Sequence, residues 1–176
     1  MNYFELYELP LSFRLDEAVL KRKFYELSKK YHPDFYINES DEKQQEILEL
    51  STLNNKAFQV LSHPLKRMEY VLQLKGVMAE EEQYQLPQDF LMEMMEVNEA
   101  LMEMEFESDP INLERITAQV DDMERGLSDE LEQYTQRFDS LNTEEEQNLL
   151  LKIKDIWYRQ KYLLRIRESL NRFATR

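Results

Sequence analysis

A histidine, a proline and an aspartate stand together at positions 32–34, and these residue types at this spacing give the clearest indication of function in the chain. Proline fixes the backbone φ angle, so the imidazole of His32 and the carboxylate of Asp34 would project from a stiff turn. A stiff turn loses little entropy when it binds a partner. The same residues also suit a plain connection, in which Pro33 ends a helix and Asp34 favours the bend. The triplet alone leaves both interpretations open.

The chain offers little for covalent or metal chemistry. It contains two histidines and no cysteine, which excludes a cysteine nucleophile, a disulfide framework and a thiolate metal site. The second histidine, His63, stands before Pro64 and resembles a helix cap rather than a member of a catalytic group. We therefore expect a protein that is not an enzyme and that holds no metal and no other cofactor.

Basic side chains precede the triplet on one predicted helix. Its apolar residues recur at helical spacing and are Leu20, Phe24, Leu27 and Tyr31. At about 100° per residue, Arg22 and Lys29 fall nearly opposite that stripe, whereas Lys23 and Lys30 fall on one flank. In a chain of net charge −14, a basic strip that leads into a histidine-bearing turn predicts a docking surface for an acidic partner. The alternative is an ordinary solvated helix face.

The composition predicts an all-α fold, with an N-terminal helical hairpin and a C-terminal three-helix bundle. Two glycines and five prolines supply few of the residues that turns between strands need. One helix follows the N-cap Asp16 and ends at Pro33, and a second, from about Ser40 to Leu61, runs antiparallel to it. A short third helix begins at Pro64. The side chains expected inside are Ile47, Leu50, Leu53, Asn54, Ala57, Phe58 and Leu61 on the second helix and Met68, Val71 and Leu72 on the third.

Charge divides the chain near Gly76. Residues 1–76 carry 11 basic and 12 acidic side chains, whereas residues 77–176 carry 11 and 24. The stretch from Gly76 to Pro87 combines a glycine, an acidic run and a proline, which is typical of a connector. The predicted division is a first domain over 1–75, a linker over 76–86 and a three-helix domain over 87–176.

Three long helices are expected in the second domain. They begin at Pro87, at Pro110 behind the cap Asp109, and behind Thr143, whose spacing to Glu146 fits a capping box. The middle helix carries the clearest bundle seam, with apolar residues at steps of three and four. These residues are Leu113, Ile116, Val120, Met123, Leu127, Leu131, Tyr134, Phe138 and Leu141. The segment 152–176 is basic, and we interpret it as charge matching to the acidic helices rather than as a nucleic-acid site.

The first helix of this domain is more apolar than one buried face requires. One stripe consists of Phe90, Met94, Val97, Leu101 and Met104. A second stripe lies roughly 140° away and consists of Leu91, Met95, Met102 and Phe106, with Met92 beside them. Methionine is favoured on adaptable binding surfaces, and Glu96, Glu99 and Glu103 border this second stripe. We interpret it as a protein-binding patch with an acidic rim. The alternative is that both stripes are buried, one in the bundle and one against the first domain.

Bulk properties argue against several kinds of partner. A net charge of −14 repels phosphate backbones and anionic lipid heads, so neither nucleic acid nor a membrane is expected to bind. The N-terminal residues carry acids rather than a basic export or transit signal, and no stretch approaches the roughly 18–20 apolar residues that span a bilayer. A cytoplasmic location is the simplest expectation.

The first part of the chain resembles a J-domain from its first helix to its last. The segments that carry the resemblance are Tyr3–Leu9, Leu27–Asp34 and Leu53–Tyr70. The resemblance implies that the basic helix and the turn dock on the nucleotide-binding domain and linker of a DnaK-type chaperone and promote ATP hydrolysis there. The chaperone-binding residues it implies are Arg22, Lys23, Lys29, Lys30, His32, Pro33 and Asp34.

The whole chain is similar to the HscB family of iron–sulfur cluster assembly, which combines an N-terminal J-domain with an acidic three-helix domain. That resemblance implies two partners, the specialised chaperone HscA and an IscU-type iron–sulfur scaffold as its client. The segment 90–99 resembles the scaffold-binding surface of the family. The client-binding residues it implies are Leu91, Met92, Met95, Glu96 and Glu99, with Trp157 as the candidate for an aromatic from the last helix.

Two other functions remain compatible with the residues. One is a J-domain co-chaperone that serves a different client, and the other is a non-catalytic helical scaffold in which the His-Pro-Asp triplet is incidental. The zinc-binding CxxC pair of some eukaryotic relatives is absent from the chain, so the resemblance implies no metal.

Overall fold

A computed structural model of the chain describes residues 1–138 and 143–175, without the side chains of residues 143 and 144. Every regular element in this part of the chain is helical, which confirms the predicted all-α fold. The elements are α1 (Tyr3–Leu6), α2 (Glu17–Lys30), a 3₁₀ helix (Pro33–Tyr36), α3 (Asp41–Leu61), α4 (Pro64–Leu74), α5 (Gln88–Phe106), α6 (Pro110–Phe138) and α7 (Thr143–Ala174). They form two units, Met1–Lys75 and Gly76–Arg176.

The first unit is built on the hairpin of α2 and α3. Asp16 caps α2 by accepting the Ala18 N–H at 2.9 Å, and Ser40 caps α3 by accepting the Lys43 N–H at 3.2 Å. The rings of Phe24 and Phe58 stack with centroids 4.3 Å apart. The buried side chains of the hairpin and of α4 are Leu20, Ile47, Asn54, Ala57, Leu61, Met68, Val71 and Leu72. Local capping therefore sets the start of each helix, and apolar packing joins them.

A buried amide fixes the register of this hairpin. Asn54 donates from Nδ2 to the Phe24 carbonyl at 3.2 Å and to Ser28 Oγ at 3.1 Å, which ties α3 to α2. The Tyr7 hydroxyl lies 2.8 Å from Asn54 Oδ1, and burial raises the pKa of that hydroxyl. Because a buried polar group is costly when unpaired, these bonds favour one alignment of α2 with α3. The 3₁₀ helix lies between these two helices in the chain.

The second unit packs α5, α6 and α7 around one apolar core. The predicted first stripe of α5 is buried in full, from Phe90 to Met104. It meets Ile116, Val120 and Leu127 of α6 and Ile156, Leu163, Ile166 and Leu170 of α7. Asp109 caps α6 by accepting the Asn112 N–H at 3.1 Å, as expected from the sequence. The predicted capping box of Thr143 and Glu146 and the seam residue Leu141 involve side chains outside the described residues.

Salt bridges join the basic last helix to acidic groups of the same unit. Arg167 of α7 pairs with Asp121 and Glu124 of α6, the latter at 2.9 Å. Arg159 pairs with Asp155 one turn away at 2.7 Å. These contacts agree with the interpretation of the basic helix as internal charge matching. Among the described helices, none has the length and apolar run that crossing a membrane requires.

The segment expected to be a linker is held against α7. Met78 is buried, and the Tyr84 and Tyr158 rings stack 4.3 Å apart. Lys154 Nζ lies 2.8 Å from Glu82 Oε1 and donates to the Val77 carbonyl at 2.8 Å. Burial tends to raise the pKa of Glu82, but hydrogen bonds from Lys154, the Tyr158 hydroxyl and the Ala79 N–H outweigh it and lower that pKa below 4.5. Residues 76–86 thus contribute to the packing of the second unit.

Replacing Glu82 with glutamine should lower the free energy of unfolding at pH 7 by roughly 1–3 kcal/mol, because Lys154 loses its charged acceptor. A carboxyl group whose pKa is depressed in the folded state stabilises the fold above its ordinary pKa and loses that effect as the pH falls through the folded pKa. The difference between wild type and variant should therefore shrink below about pH 4.5. Urea unfolding at pH 7 and pH 3 measures it, with the exposed Glu145→Gln as control. An equal difference at both pH values would contradict the assignment.

Candidate functional site

The His-Pro-Asp turn is a short, capped 3₁₀ helix at the surface. His32 is its N-cap, and its Nδ1 accepts the Asp34 N–H at 3.3 Å. The side chain of His32 is 53% exposed and that of Asp34 is 80% exposed. The turn therefore presents an imidazole and a carboxylate to a partner.

Hydrogen bonds on both sides hold this turn in place. The Tyr36 hydroxyl donates to the Lys30 carbonyl at 2.7 Å, which ties the 3₁₀ helix back to the end of α2. On the other side, Gln44 of α3 donates from Nε2 to the carbonyls of Ile37 and Glu39 at 3.1 and 2.9 Å. The connection between α2 and α3 is thus fastened to both helices, which limits the ordering cost of binding.

The basic residues of α2 differ in how far their side chains are exposed to solvent. Arg22, Lys29 and Lys30 are exposed, and the last two lie in the final turn, where cations also favour the helix dipole. Lys23 differs, because its side chain is only 28% exposed and its Nζ lies 3.4 Å from Glu8 Oε2. The predicted strip is therefore a surface of Arg22, Lys29 and Lys30, with Lys23 partly engaged by its own unit.

An open groove of about 740 Å³ runs along this surface. It is lined by Arg22, Tyr25, Glu26, Ser28, Lys29, His32, Asp34 and Phe35, and it does not include Lys23, Lys30 or Pro33. Tyr25 and Phe35 are large exposed apolar residues. Neither residue was predicted to line a site, although the spacing of Tyr25 from Arg22 and Lys29 places all three on one helix face. The groove thus combines cationic and aromatic side chains around the turn.

The second stripe of α5 lies on the surface of its unit. Met92 is 59% exposed, Met95 60%, Met102 62% and Phe106 90%, while Leu91 is half-buried. Glu96, Glu99 and Glu103 are exposed beside them. Contiguous exposed apolar patches are uncommon on folded domains. Where they occur, they often mark a surface that binds another protein. We call Met92, Met95, Met102 and Phe106 the α5 strip.

Trp157, the candidate aromatic of the last helix, is buried. Its ring is edge-on to that of Tyr158 at 4.8 Å, and Lys161 Nζ lies 4.8 Å above it. It therefore belongs to the packing of the second unit rather than to an exposed surface. His63 caps α4, as expected, by accepting the Lys66 N–H on Nδ1 at 3.4 Å. Among the side chains of residues 1–138 and 145–175, no three His, Asp or Glu groups converge as metal ligands would.

Known families match both units of the chain. A family described as the DnaJ domain matches residues 2–70, and one described as the HSCB C-terminal oligomerisation domain matches residues 86–171. The co-chaperone protein HscB homolog of Shewanella baltica is 30% identical over 173 residues, which cover 98% of this chain and 96% of that protein. The homolog of Vibrio parahaemolyticus is 43% identical over 112 residues, or 62% of this chain and 65% of that protein.

Two solved structures have the same fold. The crystal structure of the human co-chaperone protein HscB superposes with a TM-score of 0.76 at 29% identity, covering 97% of this chain and 81% of that one. The chaperone HscB from Vibrio cholerae gives a TM-score of 0.65 at 30% identity, covering 97% and 99%. The likeness extends over both units and is not confined to the His-Pro-Asp turn.

Proposed function

The chain belongs to the HscB family of co-chaperones, and from this membership we propose that it stimulates ATP hydrolysis in the chaperone HscA and delivers an IscU-type iron–sulfur scaffold to it. A J-domain implies a DnaK-type chaperone as a partner, and the relatives are named co-chaperones rather than enzymes. The identity of the chaperone, the identity of the client and the cytoplasmic location are part of the proposal.

The observation that carries the chaperone-binding half is the exposure of His32 and Asp34 on a turn fastened to two helices. A chaperone changes its rate of hydrolysis when a ligand binds one of its conformations better than another. A rigid, exposed turn is suited to this task, because a flexible one would adapt to either conformation. Arg22, Lys29 and Lys30 add a positive field that draws an acidic surface toward the turn.

The observation that supports the client-binding half is the proximal part of the α5 strip, Met92 and Met95, together with the glutamates beside it. Five client-binding residues were expected, and four of them, Met92, Met95, Glu96 and Glu99, are exposed on one helix. The fifth, Leu91, is half-buried beside them. Methionine side chains adapt to an irregular partner surface, and exposed glutamates exclude partners of negative charge. This combination favours a client that brings apolar and cationic groups.

Single-turnover ATPase assays with HscA and with DnaK test the chaperone partner. Stimulation of HscA at lower concentrations of the chain than DnaK requires is the expected result. No effect on any DnaK-type ATPase would favour the non-catalytic helical scaffold. Stimulation without scaffold binding at micromolar concentration would instead favour a J-domain co-chaperone for a different client.

Replacing Lys29 with glutamate should raise the concentration of the chain needed for half-maximal stimulation by about tenfold at low salt. The maximal rate should stay unchanged, because the substitution alters encounter and affinity but leaves the turn in place. The difference should shrink as ionic strength rises, since exposed charges are screened. The exposed Lys66→Glu on α4 is the matched control. If both substitutions raised that concentration equally, stimulation would depend on the net charge of the chain and not on the position of Lys29.

A further inference from the structure

The α5 strip continues beyond the residues expected to bind the client. Met92, Met95, Glu99, Met102 and Phe106 follow one another at steps of three, four, three and four. That spacing is typical of the seam along which two helices pack. From residue 92 to residue 106 it extends for roughly 21 Å along the helix axis. The seam is therefore longer than the predicted client surface, which ends at Glu99.

The distal end of the seam is at least as exposed as the proximal end. Met102 is 62% exposed and Phe106 is 90% exposed, compared with 59% for Met92 and 60% for Met95. The opposite face of the same helix is buried from Phe90 to Met104. The core of the unit thus uses one face of α5 completely and leaves the seam available along its length.

The charge of α5 specifies the kind of partner. The helix contains no lysine or arginine, and its six acidic residues are Asp89, Glu93, Glu96, Glu99, Glu103 and Glu105. Glu99 lies in the middle of the seam, between Met95 and Met102. A glutamate in an apolar seam is stabilised when the facing helix brings a cation to that level, and it then sets the register.

A second copy of this chain fits the seam poorly. An isologous dimer would pack the strip antiparallel on itself, and the central Glu99 would then face Glu99 of the other copy. The remaining acidic side chains of the two helices would also oppose one another, with no basic residue on either to offset them. The charge pattern therefore favours a different partner over self-association.

We propose that Met102 and Phe106 extend the client-binding surface, and that the whole seam takes an amphipathic helical segment of the client with a basic residue facing Glu99. This inference rests on the proposed function, because the client is the iron–sulfur scaffold. Apolar side chains at steps of three and four on the client helix would interleave with the α5 strip, as in other helix-in-groove complexes. Its basic residues would lie against the glutamates that border the seam.

Calorimetric titration of an IscU-type scaffold with the full chain tests the inference. Met102→Ser and Phe106→Ser should each weaken binding roughly tenfold. Glu99→Lys should weaken it by a similar factor that diminishes at high salt. The controls are Leu164→Ser, which removes an exposed apolar side chain from α7, and the exposed Asp129→Lys on α6. Both controls should bind as the wild type does.

Three other outcomes would overturn the inference. If the wild-type chain does not bind the scaffold, the proposed client fails and the inference fails with it. If the wild type binds and the three variants bind equally well, the inference alone fails and the proposed function stands. If Met102→Ser and Phe106→Ser instead dissociate an oligomer measured by light scattering, the seam is occupied by a second copy.

Discussion

Replacing His32 with glutamine should reduce the stimulated rate of ATP hydrolysis in the chaperone to its basal rate. The effect is expected to be this large because stimulation depends on a difference in affinity between two states of the partner. A chain that binds both states of the chaperone with equal affinity does not change their populations, however tightly it binds. Asp34→Asn should act in the same way, since the amide keeps the shape of the side chain and loses its charge. The rate of single-turnover ATP hydrolysis at a saturating concentration of the chain measures the effect of both substitutions.

The chain contains its own control for this substitution. His63 also precedes a proline and also caps a helix through Nδ1, but it lies at the start of α4, outside the groove. His63→Gln should therefore keep full stimulation. His32 is exposed but caps the 3₁₀ helix, so His32→Gln should lower the free energy of unfolding by about 1 kcal/mol, a loss that leaves the chain folded. Full stimulation by a folded His32→Gln chain would refute the role of the turn.

Replacing Met92 and Met95 together with serine should weaken binding of the scaffold by about a hundredfold or more. Apolar side chains that a partner covers completely are typical of the residues that dominate binding energy. Stimulation of the chaperone in the absence of scaffold should remain at the wild-type level, because the turn belongs to the other unit. The fold should be preserved, since both side chains are more than half exposed.

The matched control for this pair is the double change Leu151→Ser and Leu164→Ser, which removes two exposed apolar side chains from α7. Calorimetric titration should give the wild-type affinity for that control. If the methionine variant binds within about twofold of the wild type, the client does not use the α5 strip. If control and variant lose affinity equally, the effect reflects general surface hydrophobicity and not a specific contact.

The helix starts could be predicted because the signals that set them are local. A side chain such as Asp16 or Asp109 caps the helix within the next three residues, and proline acts within one residue of its own position. The core face of α5 was predictable for a similar reason, since helical periodicity alone places Phe90 and Met94 together. The same periodicity identified the α5 strip but could not decide whether it was buried.

The packing of residues 76–86 could not be predicted from local sequence. An acidic run beside a glycine and a proline has the composition of a solvated connector, and the partners of Glu82 lie far along the chain at Lys154 and Tyr158. Likewise, the buried bonds of Asn54 join α3 to α2 and to Tyr7, which directly follows α1. Tertiary contacts of this kind depend on how the elements pack, which no window of sequence contains.

Tyr25 and Phe35, the aromatic residues of the groove, were not predicted from the sequence. A tyrosine or a phenylalanine in a small helical domain is more often part of the core than of the surface. Phe24, next to Tyr25, does pack inward on Phe58, whereas Tyr25 itself is exposed. The spacing of Tyr25 from Arg22 and Lys29 contained the needed information, since all three lie on one face of α2.

We propose that one chain couples a turn that activates the chaperone to a strip that binds the client. The most direct test is the single-turnover rate of ATP hydrolysis by HscA with the chain alone, with the scaffold alone and with both together. We predict that the two together accelerate hydrolysis by more than the product of their separate effects, and that the His32→Gln chain loses this gain while it still binds the scaffold. A combined rate no greater than that of the chain alone would contradict it.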